Sequence, residues 1–417
     1  MPSMSYPKSV TFTQARKFIA ELAAASSSAP VQLPLTQAVG RLLQEDVAAA
    51  TDVPAWDCSR VDGFAFTMAS LRQSENERLP INPAIHAGVD ASEVESLSQA
   101  HPVMTGAMLP VGADTIVMKE HTSVTSDNTL QLNQAVEKGN FIRRQGDDLK
   151  AGQLVLKKGR RLRPEDMGLL ASVGVSKVSV NVMPKVLLIL TGDELVSPGA
   201  TCEPGQIFDA NSFMLSDLLT QMGCDVVAVK RLKDNRDHVN QVFDKLKSKS
   251  LDLIVSVGGV SMGDKDYIPD VLAEQGRIIF HKTGIKPGFP LLFGELGQAM
   301  YFGLPGNPVS AYTTMCQFIW PALRVKSGEA EMGNLNWRGK ITHDVNKSHF
   351  RREFMRGYYV QSFDGSIEVT VCGGQQSSRI KSLTEANCFI VLDESQQDVV
   401  SGELVRIQPF HQFNVMS

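Results

Sequence analysis

Glycines and acidic side chains share the turn that follows the apolar run Leu251–Val257. A helical pattern starts near Tyr267, and the turn before it contains Gly258, Gly259, Ser261, Gly263, Asp264 and Asp266. Glycines allow close backbone approach to a ligand, free N–H groups at a helix start favour an anion, and aspartates can hold a divalent cation. The turn fits neither G-x-G-x-x-G nor the Walker pattern. On its own, such a turn is more often structural than functional.

Three more loops carry polar or turn-forming residues directly after predicted strands. They contain Asp193 with Glu194, Asp234, and the segment Leu304–Pro308. Solvated turn acids would explain any one of these loops. In an open parallel sheet, however, ligands bind outside the carboxyl ends of the strands, where such loops meet. The four loops together therefore predict one ligand site at that edge.

Two lysines, Lys282 and Lys286, lie four residues apart in a segment with glycine and proline that is not helical. A solvated lysine pair is the simpler explanation of these two residues alone. Beside acids able to hold Mg²⁺, they predict a phosphorylated or nucleotide substrate, because metal and ammonium neutralise its charge from opposite sides. A further anion clamp is a hypothesis for Arg143, Arg144, Arg351, Arg352 and Arg356.

The elements that must position these loops alternate between strand and helix from Pro184 to about Val325. This alternation predicts right-handed crossovers and a doubly wound, mostly parallel sheet. The predicted strands are Val186–Leu190, Asp225–Lys230, Leu251–Val257, Arg277–Phe280 and Met300–Gly303. The predicted helices are Ser212–Met222, Asp237–Ser248, Tyr267–Glu274 and Val309–Val325.

Two other kinds of pattern flank this region. Thr11 and Gln14 have the spacing of a capping box and predict a helix over 11–25, and Pro164 suits the first turn of another helix. Short apolar runs predict a β-rich insertion from Phe64 to about Asn140, with strands at Ala84–Val89, Thr115–Met118 and Thr129–Leu132. Beyond Gly328, four more runs predict a compact C-terminal β-domain: Met355–Val360, Ile367–Val371, Cys388–Leu392 and Leu404–Ile407.

Composition limits the class of protein. A chain of 417 residues exceeds the size of a single core, so two to four domains are expected. A net charge of −4 argues against a general binder of nucleic acid or anionic membrane. Six cysteines without a C-x-x-C pair predict reduced thiols in the cytoplasm. Charged residues interrupt the N-terminal apolar stretch, and no run could span a bilayer, so neither export nor membrane insertion is expected.

Six segments, in the same order, resemble the molybdopterin molybdenumtransferases (MoeA) and the E domain of gephyrin. Two lie in the insertion: DCSRVDGFA from Asp57, and TGAMLPVGADTIVMKE from Thr105. Four lie in the α/β region: TGDEL, GGVSMG, GIKPG and LPGNPVS. The likeness covers essentially the whole chain.

This resemblance implies Mg²⁺-dependent insertion of molybdate into adenylylated molybdopterin with release of AMP. It implies a homodimer whose cleft lies between the α/β domain of one subunit and the insertion of the other, and contact with the upstream adenylyltransferase. It also implies four parts: a discontinuous linker domain (1–50 and 141–181), the β-rich insertion (51–140), the molybdopterin-binding α/β domain (182–327) and a C-terminal β-barrel (328–417).

The resemblance also assigns roles to individual residues. The predicted catalytic residues are Asp62, Glu194, Asp234, Asp266, Lys282 and Lys286. The residues predicted to bind Mg²⁺ are Glu194, Asp234 and Asp266. The residues predicted to bind substrate are Thr105, Arg143, Asp148, Gly258, Gly259, Ser261, Pro305, Pro308, Arg356 and Ser377.

Two alternatives remain beside this interpretation. The adenylyltransferase of the preceding step has a single α/β domain with similar glycine-rich loops, but it would lack the insertion and the C-terminal domain. A gephyrin-like scaffold would use the same fold to bind receptor peptides. Retention of the acidic and lysine residues favours catalysis, since a scaffold could lose them without cost to its interface.

Overall fold

The structure of the chain is a computed structural model that describes residues 7, 9–26, 28–95, 98–260, 266–329 and 333–415. Ser261, predicted to bind substrate, lies outside these ranges, as do Gly263 and Asp264 of the glycine-rich turn. Within the described ranges, no helix has the length and apolar character needed to cross a membrane.

A six-stranded sheet forms the centre of the α/β region. Its strands are Lys185–Thr191 (β1), Asp225–Leu232 (β2), Leu253–Val257 (β3), Arg277–His281 (β4), Leu292–Leu296 (β5) and Ala299–Leu304 (β6). They lie in the order β2-β1-β3-β6-β5-β4, and the first four are mutually parallel. β3 and β6 are buried along their whole length, so their sequences are apolar runs without alternation. The predicted doubly wound, mostly parallel sheet is confirmed.

Helices cover both faces of this sheet. Leu188 of β1 packs in a cluster with Leu215, whereas its neighbour Ile189 packs on the opposite face with Phe243, because successive strand residues point to opposite faces. The strand order reverses between β1 and β3, where doubly wound folds place their ligand crevice. The covering helices are Asn211–Gln221, Arg236–Leu246 and Ile268–Gln275.

β5 forms the part of the sheet that the sequence analysis did not predict. It is antiparallel to both β4 and β6. A side chain at Gly294 would place its Cβ 2.1 Å from the carbonyl oxygen of Arg277, so the close approach of these strands requires glycine. A glycine inside a strand weakens its apolar pattern, which accounts for the omission.

The predicted helix Val309–Val325 contains an irregular centre. It consists of an α-helix Pro308–Thr314, a π-helical segment Met315–Ile319 and a second α-helix Trp320–Lys326. Pro321 lies in the first turn of the second α-helix and has no N–H to donate, so the regular hydrogen-bond ladder cannot run through it.

A closed five-stranded β-barrel lies near the C-terminus. Its strands are Trp337–Ile341 (β7), Arg352–Gln361 (β8), Ile367–Val371 (β9), Cys388–Leu392 (β10) and Leu404–Pro409 (β11). The ladder β8-β9-β7-β11-β10 closes through pairing of β10 with β8. Four of these strands were predicted, and β7 was not. The short strand Ile285–Lys286 pairs with the start of β8, which ties the lysine segment to the barrel.

The N-terminal helix Phe12–Ala25 begins at the predicted capping box. The Gln14 backbone N–H donates to Thr11 Oγ1 at 3.2 Å, and the Thr11 N–H donates to Gln14 Oε1 at 3.0 Å. The Phe12 ring centroid lies 5.4 Å from that of Phe318 and 5.7 Å from that of Phe354. This helix therefore packs where the α/β domain meets the barrel.

Two strands that precede the insertion pair with two strands that follow it. Val31–Pro34 is antiparallel to Lys177–Val180, and Val47–Ala48 is antiparallel to Leu154–Leu156. The helix predicted to start at Pro164 spans Pro164–Ser172. The proposed domain boundaries remain a prediction.

The insertion contains two small antiparallel sheets. The predicted strands Thr115–Met118 and Thr129–Leu132 are present, but the predicted strand Ala84–Val89 is wrong. Within that segment only Ile85 forms a β-bridge, to Val103. The remaining strands of the two sheets are Gly63–Phe66, Arg78–Pro80, His101–Val103 and Thr122–Val124.

Candidate active site

The loops after β1, β2, β3 and β6 line one cavity of about 550 Å³. Because these strands are parallel, their carboxyl ends meet at one edge of the sheet. Six residues predicted from the sequence lie in the cavity wall: Glu194, Asp234, Gly258, Gly259, Asp266 and Pro308.

Two of the glycines in this wall have backbone conformations that other residues rarely adopt. Gly258 has φ +87° and Gly259 has φ +65°. A Cβ at Gly258 would lie 2.8 Å from both the carbonyl oxygen and Oγ1 of Thr191. The turn after β3 can therefore pack against the end of β1 only with glycine, and this packing leaves backbone lining the cavity.

The acidic groups of the cavity influence one another. Burial raises the pKa of Asp234 above its ordinary value, a hydrogen bond from the Asp193 backbone partly offsets this, and the charges of Asp193, Glu194 and Asp266 raise it further. The cavity thus carries concentrated negative charge that a bound cation would relieve.

These acids fit one mode of Mg²⁺ binding. Among the described residues, no group of three His, Cys, Asp or Glu side chains is arranged to hold a metal ion. Mg²⁺ is commonly held by one or two carboxylates, water and substrate phosphate oxygens. One or two of the carboxylates of Glu194, Asp234 and Asp266 could therefore hold a Mg²⁺ that binds together with a phosphorylated substrate, and their role as ligands stays a prediction.

Two buried polar atoms in residues of the cavity wall have no hydrogen-bond partner within the described part of the chain: Thr191 Oγ1 and Asn211 Oδ1. The Asn211 amide is oriented by a 2.7 Å hydrogen bond from Nδ2 to the carbonyl oxygen of Gly306. A buried polar atom without a partner costs about 1–3 kcal/mol, so both atoms are suited to a ligand. Neither residue was predicted from the sequence, since a threonine ending a strand and an asparagine starting a helix are common.

A second cavity of about 310 Å³ adjoins the first. It is lined by three predicted residues, Lys286, Pro305 and Ser377, and also by Arg351. Asn307 lies in the walls of both cavities. An acidic cavity and a basic cavity therefore meet at the loop after β6.

The Lys286 ammonium is held by an acid that the sequence analysis missed. Its Nζ lies 2.9 Å from Oε1 of Glu353, and Nε2 of His349 lies 3.1 Å from the other oxygen of that carboxylate. Glu353 is buried. Burial lowers the pKa of His349, whereas the Glu353 charge raises it in part. Strand pairing places Lys286 opposite Glu353, a register that sequence alone did not reveal.

Lys282 lies beside the second cavity but is not among its lining residues. Its backbone has φ +82°, which is rare for a residue with a side chain. Its ammonium lies 5.7 Å from the ring centroid of Phe289, which does line that cavity.

Arg356 lies beneath the loop that carries Ser377. It is 1% exposed, and its guanidinium donates hydrogen bonds to the carbonyl oxygens of Gly374 and Gln376 at 3.1 and 3.3 Å. Burial lowers its pKa to about 10. Its side chain thus supports the loop, and its predicted contact with substrate stays untested.

The five arginines of the clamp hypothesis lie in separate places. Arg143 pairs with Asp148, and Arg144 pairs with Asp57 of the insertion. Arg351 lines the second cavity, whereas Arg352 lines a different one. The five do not form one clamp within a single chain.

Four other predicted residues form two pairs, one in the insertion and one in the linker segment that follows it. Asp62 accepts hydrogen bonds from N and Oγ1 of Thr105, each at 2.9 Å, and these bonds hold the pKa of Asp62 below its ordinary value. Arg143 lies 3.7 Å from Asp148. None of these four residues lines either of the two adjoining cavities.

Three family profiles match the chain in succession. Residues 10–174 match the MoeA N-terminal region (domain I and II). Residues 187–325 match a probable molybdopterin binding domain, and residues 338–410 match the MoeA C-terminal region (domain IV). The three profiles together span most of the chain.

Full-length relatives show the same similarity. Proteins named molybdopterin molybdenumtransferase from Haemophilus influenzae and Synechococcus elongatus are 36% and 33% identical, covering 91% and 90% of this chain and 93% and 94% of their own lengths. The solved structure of the molybdopterin biosynthesis protein moeA from Pyrococcus horikoshii OT3 is similar with a TM-score of 0.75 at 28% identity, covering 97% of this chain and 100% of that one.

Proposed function

Because this chain belongs to the MoeA family of molybdopterin molybdenumtransferases, we propose that it inserts molybdate into adenylylated molybdopterin and releases AMP. Family membership makes the protein a transferase of molybdenum cofactor biosynthesis. The adenylylated substrate, molybdate and a need for Mg²⁺ are our proposal.

Two adjoining cavities of opposite charge support this proposal. The larger one combines glycines with carboxylates, and the smaller one combines Lys286 with Arg351. Asn307 lies in both walls. The proposed substrate has a phosphorylated nucleotide at one end, which would bind with a cation in the larger cavity. Its other end reacts with an oxyanion, which would bind in the smaller, basic cavity.

Each cavity would contribute differently to the reaction. Gly258 and Gly259 would let the backbone approach the phosphates, and the carboxylates of Glu194, Asp234 and Asp266 would lie at the metal end. Mg²⁺ bound there would polarise the phosphoanhydride and offset its charge.

In the second cavity, Lys286, oriented by Glu353, would hold the molybdate oxygens. No covalent nucleophile is required for this mechanism. Cys58, which lies in the same segment as Asp62, is buried, and burial raises the pKa of its thiol.

The insertion would complete the site from a second subunit. Asp62 and Thr105 line neither cavity of their own chain, so they are available to a neighbour's cleft in a homodimer. We also propose that the adenylylated substrate is received by contact with the upstream adenylyltransferase.

The test combines the protein with adenylylated molybdopterin, Mg²⁺ and molybdate, and measures AMP release together with active cofactor. Glu194→Ala or Asp234→Ala should lower turnover by at least about 100-fold, because each removes charge at the phosphate end. Asp217→Ala is the matched control, since this exposed helix residue lies outside the cavity wall. Normal turnover in both cavity variants would contradict the assignment.

Neither alternative function has comparable support. The adenylyltransferase would lack the insertion and the barrel, whereas this chain matches family profiles over both. A peptide scaffold has no need for carboxylates gathered around a glycine-rich turn. A pull-down in which receptor loops bind while molybdate insertion fails would favour the scaffold.

A further inference from the structure

A third cavity, of about 410 Å³, lies where the N-terminal helix meets the barrel. It shares no lining residue with the two cavities of the candidate active site. Its walls come from the helix Phe12–Ala25, the π-helical segment Met315–Ile319 and strands β8, β10 and β11. Cavities of this volume are typical of small-molecule sites.

The lining of this cavity is strongly basic. Four of its residues, Arg16, Lys17, Arg352 and Arg406, carry positive charge, and none of the described lining residues is acidic. Arg352 pairs with both Asp393 and Glu394, and Arg406 pairs with Asp393; neither acid lines the cavity. Arg16 forms no ion pair with any described residue, and its Nη1 donates only to a neutral group, the carbonyl oxygen of Gln317, at 2.9 Å.

The surroundings of Arg16 disfavour its positive charge. Burial, together with the nearby charges of Arg324 and Arg352, lowers the pKa of Arg16 to about 10. The guanidinium carbons of Arg16 and Arg352 lie 5.6 and 4.4 Å from the Phe12 ring centroid, so the same ring positions both groups. An anion bound beside Arg16 and within reach of Arg352 would relieve this repulsion.

Four amides and an apolar wall complete the cavity. Asn334 donates to Gln317, Gln317 donates to Gln408, and Gln408 donates to Asn336, with distances of 3.1, 2.8 and 3.0 Å. This chain of hydrogen bonds fixes the amides in place. The buried Oδ1 of Asn334 is left without a partner among the described residues. Phe12, Phe354 and Val391 add apolar surface.

We propose that this cavity binds a small organic molecule through a phosphate or carboxylate group, with Arg16 and Arg352 as the oxyanion ligands. The arginine forks match both anions, the amides suit polar groups on the ligand body, and the apolar wall suits its carbon skeleton. The proposed anion site does not depend on the proposed transferase reaction, since none of its lining residues lines either cavity of the candidate active site.

Binding is tested with the full chain carrying Lys286→Gln, which weakens the other basic cavity. Inorganic phosphate, glycerol 3-phosphate and succinate are each titrated by calorimetry at low salt, and the headgroup that binds more tightly identifies the ligand class. Saturable binding should become about tenfold or more weaker when Arg16→Gln is added, because one charged hydrogen-bonding partner is lost. Arg277→Gln is the control, since Arg277 lies on β4 outside the cavity wall and pairs with Glu295 on β5.

Unchanged affinity in the Arg16→Gln protein, or no saturable binding of any probe, would overturn the proposal. If Arg16→Gln does not fold, Lys17→Glu replaces it, because Lys17 is exposed; this variant should bind about threefold or more weakly at low salt. Crystals soaked in selenate give the location: anomalous density between Arg16 and Arg352 supports the site, and ordered selenate only elsewhere contradicts it.

Discussion

Among single residues, Glu353 most directly affects the proposed chemistry without lining either cavity. Its buried carboxylate holds the Lys286 ammonium at 2.9 Å, and pairing of Ile285–Lys286 with β8 sets this contact. Without the negative charge of Glu353, the Lys286 side chain could adopt other rotamers. Its ammonium would then be misplaced and would stabilise the transition state less well.

We therefore expect Glu353→Gln to lower the rate of molybdate insertion about tenfold, equivalent to about 1.4 kcal/mol of transition-state stabilisation. Lys286→Ala should lower it further. If Glu353 acts through Lys286, the double variant should be no slower than Lys286→Ala alone. Additive losses in single-turnover kinetics would show that Glu353 acts by another route.

The raised pKa of Asp234 predicts how the stability of the folded protein depends on pH. Its pKa is raised in the folded chain, so the folded state holds the proton more tightly than the unfolded state. Its contribution to stability is complete below the unfolded pKa, near pH 4, and is lost as the pH rises through the raised folded value. Asp234→Asn should therefore raise the melting temperature at pH 7 and leave it nearly unchanged at pH 4.

The measurement is a series of thermal melts from pH 4 to 8, with exposed Asp217→Asn as the control. Added Mg²⁺ should stabilise the wild-type protein more than Asp234→Asn, because the cation relieves the same repulsion. A variant less stable than wild type at pH 7 would contradict the electrostatic account.

At the level of elements, the helix Phe12–Ala25 depends on its cap. Thr11→Ala removes the oxygen that accepts the Gln14 N–H and should cost about 1 kcal/mol. Hydrogen exchange of the peptide over 12–25 should become about fivefold faster. Thr11→Ser keeps the cap and is the control. AMP release should be unaffected, so a loss of turnover would connect this helix to the reaction.

For the whole molecule, the proposed homodimer predicts complementation between subunits. Asp62→Ala and Glu194→Ala should each be inactive. Each mixed dimer would contain one intact site, built from the α/β domain of one chain and the insertion of the other. Random mixing makes half of the dimers mixed, with half of their sites intact, so about a quarter of wild-type activity should return.

This recovery is measured by co-expressing the two variants, purifying the protein and assaying AMP release. Co-expression of Glu194→Ala with Asp234→Ala is the matched control, because both changes lie in the same cavity wall and no arrangement restores it. Recovery in the control pair, or none in the test pair, would contradict a cleft shared between subunits.

Much of the fold was predictable because its causes are local. The buried strands are apolar runs, and the capping box of the N-terminal helix is recognised from two residues three positions apart. Gly258 and Gly259 occupy positions where the backbone needs positive φ. The strands that escaped prediction, β5 and β7, have weak local patterns: Gly294 interrupts β5, and charged residues alternate with Gly339 in β7.

The sequence by itself determined which loops could bind a charged ligand and, through the parallel strands, that they meet at one edge. Only the tertiary structure decided that Lys286 is held by Glu353 while Lys282 lines neither cavity, that Arg356 is buried beneath a loop, and that Asp62 lines neither cavity. The reason is physical: local pattern sets an element, whereas contacts between distant residues depend on register, burial and domain packing, which no short stretch of chain encodes.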